Sequence, residues 1–171
     1  MENLESIAYA KIQAAVDRRL DFLATNIAAV RGEMNSRGLL HSTLTVQKIN
    51  EACVSLFNQV LDEIKREYEV ILKETFWLSD SLTSRLVLNA NTYFDRLTAL
   101  AQAETKNAAH HLANDAMWRP FVDAISIAHQ RALIDLSLYI DGSRNVGARK
   151  ILRGVLQFAP KILLRLLGWK S

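Results

Sequence analysis

Apolar residues recur every three or four positions along most of the chain. Tyr9, Ile12, Val16, Leu20, Leu23, Ile27, Val30 and Met34 share one stripe of a helix. The stretch from Gly32 to Thr43 holds two glycines with Asn35 and Ser36, and predicts the connection that ends this helix. Ser42, Thr43 or Thr45 can then cap a second helix by offering a side-chain oxygen to its free N–H groups. Val46, Ile49, Cys53, Leu56, Val60, Ile64, Tyr68 and Ile71 mark the inner face of that helix. Ser79-Asp80-Ser81 is the next start signal, and Leu82, Leu86, Ala90, Tyr93, Leu97 and Leu100 repeat the spacing. An interruption is expected near Met117 to Pro120, because proline pushes the residue before it away from helical angles. A fourth helix is expected from about Phe121 to Ile140, with Asp141-Gly142-Ser143 ending it.

No alternating strand pattern of useful length appears, and no glycine lies between Leu39 and Asp141. The fold class is therefore all-α. Long antiparallel helices joined by short links give a four-helix-type bundle, followed by a C-terminal basic amphipathic helix. Half of the 171 residues are hydrophobic and 23% are charged, enough apolar surface for a packed core. The single cysteine, Cys53, cannot form an internal disulfide or a cysteine-rich zinc site. It occupies the inner stripe and reads as a small core residue.

Charge divides the chain. Residues 1–141 sum to −4, whereas residues 142–171 carry +7 and no acidic side chain. The first part is expected to be an acidic helical bundle, the second a glycine-containing hinge and a basic tail helix. At 100° per residue, Ile151, Leu152, Val155, Leu156, Ala159, Ile162, Leu163, Leu166 and Leu167 fall in one broad apolar sector, with Trp169 on its margin and Leu164 the one large apolar residue on the wrong face. Lys150, Arg153, Lys161 and Arg165 occupy the other side, and Pro160 is expected to kink the helix. Soluble monomers rarely expose an apolar stripe of this size, so something must cover it. Lysine and arginine opposite leucine and tryptophan is the pattern of a helix lying at a membrane interface.

Chemistry beyond this is thin. His110, His111 and Asp115 could share a proton or a metal on a continuous helix, with Glu104 seven residues before His111. No glutamate has a histidine three residues later, which removes the di-metal bundle pattern. The run from Gly142 to Lys150 lacks the Gly-Lys-Ser/Thr ending of a phosphate loop and reads as a basic hinge, with Arg144 a candidate for holding an anion. No cofactor and no metal is called for. The acidic N-terminal residues do not resemble a signal peptide and no uncharged apolar window reaches 18 residues, so a cytoplasmic address with a peripheral membrane role is expected.

The expected function is non-catalytic association with an anionic lipid surface through Arg149, Lys150, Arg153, Lys161, Arg165, Trp169 and Lys170. An acidic groove in a partner protein would suit the same residues. The alternative is a soluble oligomeric scaffold, a homo-oligomer whose tail packs on the bundle or on a partner. An enzyme using His111 and Asp115 ranks below both, and nucleic acid ranks last among partners because stacking aromatics are scarce and the body is acidic.

Overall fold

The computed structural model describes residues 2–75, 79–112 and 115–166, with side chains for 4–75, 79–112 and 118–143. Among these residues there are four helices and no strand: α1 (Glu2–Ser36), α2 (Thr43–Glu74), α3 (Asp80–Ala109) and α4 (Asp115–Leu166). The all-α expectation holds.

Local signals set the ends of the first three helices. Gly38 adopts φ +69°, a conformation that glycine reaches without the strain a Cβ would add. Around it, the Gly38 N–H donates to the Asn35 carbonyl and the Leu39 N–H to the Met34 carbonyl, the paired bonds of a Schellman cap. The Ser42 Oγ then accepts from the Thr45 N–H at the start of α2, and the Ser79 Oγ accepts from the Leu82 N–H at the start of α3. Both serines were expected as starts, and each satisfies an N–H that the first helical turn leaves without a partner.

The inner stripes form one core. Ile12, Val16, Leu23 and Ile27 of α1 meet all eight predicted inner residues of α2 except Val46 in a single buried cluster, with Leu82, Leu86, Ala90, Tyr93 and Leu97 from α3 and Ile125, Ala132, Leu136 and Ile140 from α4. Val46 and Met34 are also buried. Packing of these faces, more than intrinsic propensity, is what holds helices of this kind in place.

The four helices do not close into a square. α2 and α3 form the central pair, and each packs against both α1 and α4, while α1 and α4 make no contact among the described residues. Consecutive helices run antiparallel. Arg19 meets Glu63 and Lys48 meets Glu33 between α1 and α2. On the α3 side, α1 is held by Glu5–Arg85, Asp17–Arg96 and Arg31–Glu104. On the opposite side, the buried Asn50 of α2 donates to the Phe121 carbonyl of α4 at 2.7 Å, and Tyr139 reaches the Lys65 carbonyl. The result is two triangles of helices sharing the α2–α3 edge.

Two expectations about the fourth helix need correction. The interruption comes after Ala109, where α3 ends, and not at Met117 to Pro120, because α4 already begins at Asp115. Pro120 lies six residues into α4, where it withholds one N–H from the helical ladder without ending the helix. The expected stop at Asp141-Gly142-Ser143 is also absent, and the helical backbone runs through it to Leu166. Gly142 has no positive φ. Ser143 donates to the Tyr139 carbonyl one turn back, a bond available to serine inside a helix. Aspartate, glycine and serine weaken a helix, but Ile140 just before them is anchored in the core.

Candidate functional site

The predicted basic segment belongs to α4. Arg149, Lys150, Arg153, Lys161 and Arg165 fall within its helical span, while their side chains, with Trp169 and Lys170, lie outside the described residues. The run from Gly142 to Lys150 is helical backbone, so its N–H groups point along the helix and do not open as a phosphate-cradling loop.

The histidine reading loses its premise. α3 ends at Ala109, His110 and His111 sit in the turn that follows, and Asp115 opens the next helix. His111 and Asp115 therefore do not share the face of one helix, and the Asp115 side chain lies outside the described residues. Glu104 is taken by Arg31 at 2.9 Å. The structure instead brings His41, from the link between α1 and α2, edge-on to His111 with ring centres 4.0 Å apart. His110 packs beside His111 at 5.5 Å. All three are exposed, and no group of three histidine, cysteine, aspartate or glutamate side chains among the described residues is arranged to hold a metal ion.

Cys53 is fully buried, and burial pushes its thiol up to about 12. At neutral pH it stays protonated and is a poor nucleophile. This is the core role its place on the stripe indicated.

A polar cluster between α3 and α4 has no counterpart in the sequence reading. The His129 ring lies against Phe57 and Phe94, with centroids 6.3 and 5.9 Å away. Its Nδ1 is 3.1 Å from the Thr98 Oγ1 and its Nε2 is 3.1 Å from the Asn91 Oδ1. Asn91 in turn donates to Asp95, and Thr98 donates to the Phe94 carbonyl. Every polar atom of the ring is engaged by neighbours from α3, which makes this a clasp between helices with no nitrogen left for a ligand. The sequence signal was weak, since a lone histidine on α4 says nothing about which α3 residues will meet it.

The surface feature that bears on binding lies on the back of α4. Ile125, Ala132, Leu136 and Ile140 face the core. On the opposite side Ile127, Ile134 and Leu138 are 46, 58 and 64% exposed. At 100° per residue these three sit within about 40° of each other and form a second apolar stripe. Leu88 of α3, 66% exposed, stands one turn before Asn91, which touches His129 of α4. α4 is therefore apolar on two sides, and the bundle uses only one.

Compared with known protein families, curated proteins and solved structures, the chain matches none.

Proposed function

We propose that the protein binds anionic membrane surfaces through the basic amphipathic segment at residues 148–170. The observation that carries this reading is the charge split, −4 over residues 1–141 against +7 over 142–171, with most apolar positions of residues 148–170 in one broad sector and Leu164 the large exception. A basic residue close to an anionic leaflet contributes about 1 kcal/mol, so the five basic residues of 149–165 rival the apolar burial in weight. The segment lies on the bilayer and does not cross it. No helix among the described residues is long and apolar enough to span a membrane.

Continuity of α4 supports the reading. In register with α2, Tyr139 is level with Lys65, so residue 147 is level with about Glu74, the last residue of α2. Beyond that level α2 supplies no further backbone beside α4, which leaves room for the segment to lie on an interface.

The test is co-sedimentation of the full chain with vesicles of 30% phosphatidylserine in phosphatidylcholine, against pure phosphatidylcholine. Binding is expected to the anionic vesicles only, and to weaken as salt rises from 50 to 300 mM. Substituting Arg149, Lys150, Arg153, Lys161 and Arg165 by glutamine should abolish it while leaving helicity unchanged. Equal pelleting of the two proteins, or equal binding to both vesicle types, would overturn the reading.

A further inference from the structure

Two links meet at one end of the bundle, and each presents a histidine from the same place in a tight turn. The Ser42 N–H donates to the Leu39 carbonyl at 3.0 Å, and the Leu112 N–H donates to the Ala109 carbonyl at 2.8 Å. These bonds close the turns Leu39-Leu40-His41-Ser42 and Ala109-His110-His111-Leu112, with His41 and His111 each in third position. Both turns are rooted on buried residues. The hydroxyl of the buried Thr45 donates to the Leu39 carbonyl at 2.6 Å, and Ala109 is itself in the core. The backbone on each side is thus fixed, and the two side chains are held at one spot before any ligand arrives.

The rings of His41 and His111 meet edge-on, with centres 4.0 Å apart and planes at 62°. Both residues are exposed. Among the described residues no hydrogen bond or ion pair engages a nitrogen of either ring, whereas His129 has both of its nitrogens bonded. Two imidazoles that bind one ion at about 2.0–2.1 Å have ring centres roughly 4.5–5 Å apart. A movement of about 1 Å, supplied by small side-chain rotations within one rotamer well, turns the contact into a chelate.

We infer that His41 and His111 together bind one divalent ion of the zinc, nickel and copper class, which clips the α1–α2 link to the α3–α4 link. Imidazole suits these ions, while magnesium and calcium demand oxygen ligands. A closed structural zinc site takes four protein ligands, so at this one water completes the shell and the ion stays open to exchange or to a further donor. His110 lies 5.5 Å from His111 between ring centres, but it comes from the second position of the same turn and is not required. An ion held only when both links are in place favours the folded state.

The test uses the untagged full chain and zinc chloride, without lipid, so its result bears on this site alone. With half the ligands of a structural site, the dissociation constant should be on the order of 1–100 µM in titration calorimetry. A tenfold excess over that constant should raise Tm by about 3–6 °C. His41→Ala and His111→Ala should each weaken binding about tenfold or more and remove the shift, while His110→Ala should stay within about threefold of wild type. All three positions are exposed turn residues, and circular dichroism at 222 nm checks that the variants keep their helices. Paramagnetic Ni²⁺ should broaden the ring-proton NMR signals of His41 and His111 before those of His129, and Mg²⁺ should bind at neither. Absence of zinc binding at about 1 mM, either His41→Ala or His111→Ala binding as wild type, or His110→Ala failing as badly as His111→Ala would each overturn the inference.

Discussion

Three glycines report on the helix boundaries, and replacing each by alanine gives a signed answer. Gly32 lies inside α1, Gly142 inside α4, and a Cβ added to either meets no atom within 4 Å. Glycine in a helix interior costs roughly 0.5–1 kcal/mol relative to alanine, because it surrenders more backbone freedom on folding. Gly32→Ala and Gly142→Ala should each stabilise the protein by about that amount. Gly38 also has open space around it, but its φ of +69° carries a penalty of about 1–2 kcal/mol for any residue with a Cβ. Gly38→Ala should therefore destabilise. For a chain of this length 1 kcal/mol corresponds to about 2–4 °C in Tm, resolvable in melts followed by circular dichroism at 222 nm. Gly142 decides between two structures. If Asp141-Gly142-Ser143 ended the helix, Gly142 would be the left-handed cap residue and alanine would destabilise, as at Gly38. Loss of stability in Gly142→Ala, with Gly32→Ala stabilising as the control, would refute the continuous α4.

Two further predictions concern the core's polar contacts. The buried Tyr68 hydroxyl donates to the Leu86 carbonyl at 2.7 Å, so Tyr68→Phe should cost about 1 kcal/mol in urea unfolding, whereas Tyr68→Ala should cost about 3–5 through the cavity it leaves. The guanidinium of Arg85 donates twice to the Glu5 carboxylate, at 3.0 and 3.1 Å, and holds it below the ordinary carboxylate value of 4.5. The folded state therefore favours the charged form, and the contribution of Glu5 is full above pH 4.5 and is lost as pH falls through the lowered value. Wild type should exceed Glu5→Gln in urea midpoint at pH 7, and the gap should narrow as pH falls below 4.5; a gap independent of pH would show that the carboxylate's charge is not the cause.

The repeating three-and-four spacing made α1, α2 and α3 legible, because each buries one face against neighbours and exposes the rest. The same periodicity located Cys53, and the serines at 42 and 79 announced their helices through a local bond that needs no tertiary context. Where the reading failed, tertiary contact outweighed a local cue. Pro120 and Asp141-Gly142-Ser143 are breakers on their own, yet one falls early in α4 beside the Asn50 anchor and the other follows the buried Ile140. The meeting of His41 with His111 could not be read, since it depends on two links distant in sequence reaching the same end of the bundle. The His129 clasp was hidden for the same reason, because pairing of polar residues between helices leaves no period in the sequence.

The back of α4 shows why charge alone divides this chain too sharply. A helix that is apolar on two sides has a weak overall asymmetry, so Ile127, Ile134 and Leu138 do not stand out in the sequence from ordinary exposed apolar residues. The stronger signal in the sequence is the tail, where one broad apolar sector stands opposite Lys150, Arg153, Lys161 and Arg165. The helical backbone of α4, however, runs past residue 141, where the charge changes sign. Ile127, Ile134 and Leu138 lie away from the core and in water, an apolar stripe on the acidic body itself, so the division by charge hides an apolar surface that belongs to the bundle and not to the tail.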